Sequence, residues 1–596
     1  MNFTQVNRQI GVKTPLGEDV LLLRAFHGKE AISQLFSFEL ELLSQDDSIS
    51  FDSLVGQPVD IRVQLADGTP RFWNGFVSRF SQSGRDQNLC VYQATVVPWL
   101  WFLTLKTDCR IFQKKKVPDI IQQIFTELGF TDFSPKLYGD FAEREYCVQY
   151  RESDFTFVAR LMEEEGIFFF FEHEEGKHTL VLANDPSANQ PCPNQPQARY
   201  ELSVGGWQDD DVILRWRSEQ ELRSGAFSYT DYNFETPTTS LFATVNGQGK
   251  YEIYDYPGEY KKRSDGDHLV RIRLEEEDTP HIVSRGEGDC RAFTTGYRFE
   301  LKDHYRKDHN QEYLLTSIEH KGSQAADFTS GGSAFGWRES AYRNAFLCIP
   351  YSTPFRPPRI TPRPVVKGCQ PAIVVGPSGE EIFTDKYGRV KVQFYWDRKG
   401  KNDENSSCWI RVSHPWAGKA WGAIHIPRIG QEVVVDFLEG DPDQPIIIGR
   451  VYNAAQMPPF DLPGKAVISG VKSNSTKGGG GFNEISLDDT KGKELVHIHG
   501  QYDMTTVVEH DESTTIVTGK QTDTVKQEIV VTSQTSHIYI TAATEIKLEV
   551  GASSLVMKAD GTITMKGTHI DIEGAMLVEV HGGITDIKGM PVKINS

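Results

Sequence analysis

Between Gly567 and Gly589 the glycines stand seven, eight and seven residues apart, and apolar or β-branched residues sit four and two places before each of them. The pairs are Ile563/Met565, Ile570/Ile572, Val578/Val580 and Thr585/Ile587, and the same unit recurs upstream as Val496/Ile498 before Gly500 and Thr515/Val517 before Gly519. A unit of this size holds one short strand with two side chains on one face, then a tight turn that glycine takes without strain. Such a strand cannot stand alone, and a single ribbon of them leaves two open edges along its length. Winding identical chains around one another removes those edges. The spacing therefore predicts an intertwined β-helical needle made by several copies of the chain.

A chain of 596 residues exceeds what one hydrophobic core fills, and about three or four domains is the expectation. Its formal charge of −19 repels phosphate backbones and anionic lipid, which argues against nucleic acid as a partner and against electrostatic adhesion to membranes. The opening residues Met1 to Arg8 show no basic stretch followed by an apolar core, and no run of about twenty apolar residues occurs, so synthesis in the cytoplasm is expected. Eight scattered cysteines without a C-x-x-C pair suit free thiols rather than a disulfide framework or a zinc site. No metal or cofactor is expected.

The first 360 or so residues read as mainly β with a few helices. Val117, Ile120, Ile121, Ile124, Phe125 and Leu128 follow helical spacing, with Pro118 in the first turn and Gly129 as the stop. Ser153 caps a second helix closed by Gly166, and Ile167 to Phe171 then reads as a buried strand that turns back into Thr179 to Ala183. The triplet Glu163-Glu164-Glu165 is expected at a solvated helix end. Prolines crowd between Pro350 and Pro371 and mark an extended connector. Beyond it, five strands are predicted at 390–396, 409–412, 421–426, 433–438 and 446–451, which fits a small Greek-key barrel of the OB type. For Trp409, Trp416 and Trp421, packing is the expectation, ahead of stacking on a nucleic acid or sugar. The glycine-rich stretch 472–481 lacks the order of a phosphate-binding loop and is expected to join barrel to needle.

Three stretches carry a family resemblance: Tyr146 to Phe155 running into Gly166, Asp385 to Val392, and Trp421 to Phe437. With them the chain resembles the VgrG spike proteins of bacterial type VI secretion systems. The resemblance implies a homotrimer similar to the hub and tail spike of contractile phages. It places a hub of two tube-like β-barrels plus helices at 1–370, an OB-fold neck at 371–465, a Gly/Ser-rich connector at 466–485 and a triple-stranded β-helix at 486–596. The implied partners are a hexameric Hcp tube below, a PAAR-repeat protein at the tip, an effector or adaptor, and baseplate components. The implied destination is secretion by the type VI machine.

The repeat itself supplies the reason for assembly. Val496, Ile498, Ile563, Met565, Ile570, Ile572, Val578 and Val580 would face a common axis, each worth about 1.5–3 kcal/mol when buried. Stacked at ~4.8 Å per strand, roughly fourteen units make a needle on the order of 65 Å, against ~40–45 Å for a bilayer. The polar outer positions mean that a membrane is crossed mechanically, not occupied. Met590, Pro591, Val592 and Ile594 are the candidates for an apolar platform facing the PAAR protein, since Pro591 lacks the donor that further strand pairing needs. His497 and His499 alternate with Val496 and Ile498 and are expected outside, so no catalytic or metal role is assigned to them. A peptidoglycan-degrading spike is disfavoured because barrel and needle are separated by only about twenty residues, too few for a catalytic domain. A trimeric receptor-binding adhesin, built on the same kind of β-helix, should carry a leader and a ligand pocket in its head. A prophage or contractile-bacteriocin spike would be mechanically the same device.

Overall fold

The structure is a computed structural model describing residues 3–86, 89–201, 211–324 and 342–593. It divides into two compact units, Met1–Tyr502 and Asp503–Ser596.

In the first unit, the apolar alternation of the N-terminal strands builds one continuous sheet. Its order runs Ile10–Lys13, Pro58–Gln64, Pro70–Asp86, Leu89–Val97, Ser37–Ser44, Leu22–Ala31, Glu312–Ser323, Tyr342–Pro350, Ile282–Gly288 and Ile213–Gln220. The antiparallel pairing of Leu22–Ala31 with Glu312–Ser323, with Phe26 opposite Gly322, joins the early strands to the late ones. A large core holds Trp73, Tyr92, Phe36 and Phe38 on the early side, and a smaller one holds Phe293, Phe299 and Phe346 on the late side.

Two helices lie where their periodicity and caps place them. α1 spans Val117–Glu127 and buries Val117, Ile120, Ile121, Ile124 and Phe125, with Gly129 at φ +84° ending it. α2 spans Asp154–Glu165; the Ser153 hydroxyl accepts from the Thr156 amide at 3.0 Å, and Gly166 stops it at φ +68°. The strand that follows, Phe168–Glu174, pairs with Lys177–Ala183. Its phenylalanines are buried on both faces: Phe169 and Phe171 join the large core, while Phe168 and Phe170 pack with Leu314 and Phe355. That two-sided burial is why the run is uninterrupted rather than alternating.

A third helix, α3 at Arg263–Asp278, was not legible in the sequence. Nine of its sixteen residues are charged, so its apolar stripe is thin, and it packs through Val270 onto a small sheet of Ala226–Tyr229, Ala243–Asn246 and Glu252–Asp255.

The Glu163–Glu165 triplet is not solvated. Glu164 sits between Arg144 at 2.7 Å and Arg363 at 2.7 Å, with Arg160 at 3.5 Å. Glu165 pairs with Arg144, and Glu163 accepts from the amide and hydroxyl of Thr361. Burial alone would raise the Glu164 carboxyl, but the three guanidiniums hold it far below the usual carboxylate range. Arg160 is a helical neighbour one turn away, but Arg144 and Arg363 are remote in sequence, so no local pattern announces them. The proline-rich segment is bound to the rest of the unit by the same chemistry: Arg356 reaches Glu275 and the Gly166 and Asn184 carbonyls, and Arg359 reaches Glu276 and Tyr229.

The neck barrel has five strands in the order Lys391–Phe394, Gln370–Val375, Glu432–Phe437, Pro445–Val451, Arg411–Val412, and a bridge between Val390 and Ile410 closes it. Two details differ from the sequence reading. Gln370–Val375 is a barrel strand that proline at 371 concealed, and 421–426 contributes instead to a short hairpin, Trp416–Ala417 with Gly422–Ala423. The barrel is bound to the hub where the Asp443 carboxylate accepts from the Val148 amide at 2.6 Å. Burial, reinforced by neighbouring Asp441, raises the Asp443 carboxyl.

Candidate functional site

The repeat region contains two antiparallel meanders. The first joins Ile468–Lys472, Glu484–Asp488 and Leu495–His499, so the stretch expected as a connector begins with a strand. Gly470 is required there, because a Cβ would meet the Ile485 carbonyl oxygen at 2.5 Å. Register places Val471, Ile485 and Ile498 in one row, and Leu487 beside Val496 in the next row on the same face. The opposite face carries Ser486 with His497, and Glu484 with His499.

The second meander, in the second unit, joins Glu545–Val550, Ser553–Lys558 and Ile563–Lys566. Here Ile546, Met557 and Ile563 align, and Leu548, Leu555 and Met565 align beside them. Each meander is thus a small sheet with one apolar and one polar face. The flanking stretches 500–544 and 567–593 form no strand ladder within the chain, among the described residues.

These apolar faces have no cover in the single chain. Val496, Ile498, Ile563, Met565, Ile570, Ile572, Val578 and Val580 are all between 49% and 74% exposed. Water-facing rows of this kind, next to extended backbone outside any ladder, describe half of an interface. Sequence reading missed the partners in the rows, Val471, Ile485, Leu487, Ile546, Leu548, Leu555 and Met557. Their signal was present as plain alternation, but all except Met557, which stands four places before Gly561, are out of step with a following glycine and so fell outside the repeat.

His497 and His499 lie side by side, rings 6.3 Å apart, and His499 Nδ1 is engaged by the Phe482 carbonyl at 3.0 Å. His581 contacts Glu579 at 3.1 Å on an exposed stretch. No three His, Cys, Asp or Glu side chains gather in the manner of a metal site among the described residues. At the end of the chain, Met590 is fully exposed and Val592 about half exposed, whereas Ile594 lies outside the described residues.

Comparison with known proteins bears on this arrangement along most of the chain. Residues 29–326 match the phage tail baseplate hub (GPD) family, 380–452 the type VI secretion system/phage-baseplate injector OB domain, and 469–580 the bacteriophage T4 gp5 C-terminal trimerisation domain. The type VI secretion system spike protein VgrG1a of Pseudomonas aeruginosa is 41% identical over 95% of this chain and 92% of its own length. VgrG1c of the same organism is 46% identical over 86% of this chain and 71% of its own.

The chain belongs to the VgrG family of type VI secretion system spike proteins.

One solved structure shares the fold. The E. coli c3393 protein, described as a type VI secretion component structurally similar to T4 tail proteins gp27 and gp5, covers 74% of this chain and 99% of its own at a TM-score of 0.54 and 21% identity. The segment matching the trimerisation domain contains the uncovered apolar rows.

Proposed function

We propose that three copies of this chain form a membrane-puncturing spike whose needle is stabilised by burial of Val496, Ile498, Ile563, Met565, Ile570, Ile572, Val578 and Val580. The observation that carries this reading is their exposure in one chain within the segment that matches a trimerisation domain. Burial of eight such side chains in each of three copies is available only after assembly, so folding of the needle and association are one event. An intertwined sheet without open edges also resists dissociation kinetically.

The reading is mechanical rather than catalytic. The hub, about residues 1–370, seats on a hexameric Hcp tube and baseplate components, the neck at 371–465 and connector at 466–485 join it to the needle at 486–596, and Met590, Pro591, Val592 and Ile594 receive a PAAR-repeat protein that carries or accompanies an effector. The type VI machine supplies the force and carries the spike out of the cell. Support for passage rather than residence comes from polar positions such as Lys566, Asp571, Glu573 and Lys588, all exposed. Multi-angle light scattering at dilute concentration, with and without boiling in detergent, tests the assembly: a trimeric mass that persists until boiling is expected. A well-folded monomer overturns it.

A further inference from the structure

The neck carries an apolar surface that its own core does not use. Val374, Val392, Phe394, Val433 and Ile447 fill the barrel and are buried, yet outside it the Trp416–Ala423 hairpin leaves Trp416 64% and Trp421 58% exposed. The two indoles meet edge to face at 5.1 Å. Glycines make this arrangement possible: a Cβ on Gly418 would lie 2.3 Å from the Trp421 ring, and one on Gly422 would lie 2.5 Å from the Trp416 carbonyl oxygen. Gly422 also holds φ +138°. A ladder of two residue pairs is too short to hold itself in water, so a hairpin built around two open indoles needs cover from elsewhere.

The following segment bears on which molecule could lie beside it. Ile468–Lys472 opens the stretch that matches the trimerisation domain, and the loop after it is tied back to the neck, where the Gly478 amide donates to the Glu381 carboxylate at 2.9 Å and Lys477 pairs with Glu380 at 3.2 Å. Bringing three such sheets together brings three necks together. Charge agrees with contact between copies: the chain carries −19 overall, whereas residues 413–426 contain Lys419 and no carboxylate, so this face avoids the like-charge repulsion that most of the surface would meet on a second copy.

We propose that the Trp416–Ala423 hairpin is a clasp that seats Trp416 and Trp421 on the neck of the neighbouring copy, a contact outside the needle face that rests on the trimeric reading above. Hydroxyl-radical footprinting of the full chain, read by mass spectrometry on a sample whose mass is measured by light scattering, tests it. Trp416 and Trp421 are expected to lose reactivity to the level of Trp73 and Trp99, which are buried within the chain. Reactivity equal to that of the urea-denatured chain, in a sample of trimeric mass, overturns the clasp and leaves the trimer standing. A monomeric mass overturns the trimer and the clasp with it.

Discussion

Replacing Ile563 by alanine separates a buried needle face from an exposed strand by size of effect. In the single chain Ile563 stands at the end of the row Ile546–Met557–Ile563 and is 66% exposed. If that row stayed in water, the substitution would change stability by no more than about 0.5 kcal/mol. If it faces two other copies across an axis, truncation costs about 2–4 kcal/mol in each copy, from lost transfer and from the cavity left behind. The three copies change together, so the assembled needle loses on the order of 6–12 kcal/mol. Even the lower figure weakens the trimer by roughly four powers of ten in its dissociation constant. The assay is the fraction of trimer surviving a fixed hold in detergent across a temperature series, with sedimentation at dilute concentration as the second reading. Lys566→Ala, on the opposite face and paired in register with Ser554, is the control and should match the parent. Ile563→Ala behaving like Lys566→Ala in both measurements would refute the reasoning.

Deleting the residues after Gly589 should leave the trimeric mass intact and abolish capture of the PAAR-repeat protein; retained capture removes the platform assignment from Met590, Pro591, Val592 and Ile594. Arg160 is buried, grips Glu152 through contacts of 2.9 to 3.1 Å and donates to the Val148 carbonyl at 2.9 Å, so Arg160→Ala should cost about 3–5 kcal/mol by stranding the Glu152 carboxylate. Denaturant unfolding followed in the hub would show it, and a loss below about 1 kcal/mol, typical of exposed pairs, would contradict it. His178 is buried, with Nε2 accepting from the Trp99 amide at 2.9 Å and Nδ1 against the Asn74 side-chain oxygen at 2.8 Å. Burial lowers its pKa well below the ordinary value of 6.5. A depressed folded-state pKa gives stability that is complete above the unfolded value and declines as pH falls toward the folded one, so the hub's thermal midpoint should be level above about pH 6.5 and drop in acid. His178→Gln, which keeps an acceptor that does not titrate there, should flatten that limb; an unchanged slope assigns the drop to other groups.

Elements whose cause lies within a few residues were legible without coordinates. The Ser153 cap, the Gly166 stop and the α1 periodicity each rest on residues close along the chain, and the phenylalanine strand showed itself as an unbroken apolar run although the groups that bury it, such as Leu314 and Phe355, are distant. The alternation that sets Val496 and Ile498 on one face and His497 and His499 on the other follows from the period of a strand alone. Helix α3 was missed because its stripe is narrow among charges. The barrel strand at Gln370–Val375 was missed because Pro371 is a poor sign of sheet, and 421–426 was read as a barrel strand because apolar residues run through it, whereas Gly422–Ala423 pair with Trp416–Ala417 in a hairpin.

The amino-acid sequence by itself determined that the C-terminal region cannot be satisfied as one copy: a repeat of two apolar residues and a glycine carries its own deficit of cover, whatever surrounds it. What only the tertiary structure decided is where distant groups meet. Arg144 and Arg363 converge on Glu164, the Asp443 carboxylate finds the Val148 amide, and Leu22–Ala31 pairs with Glu312–Ser323 across nearly the whole hub. A local period writes itself into consecutive residues, whereas an ion pair or a ladder between remote strands depends on how the entire chain closes, and no short stretch records that closure.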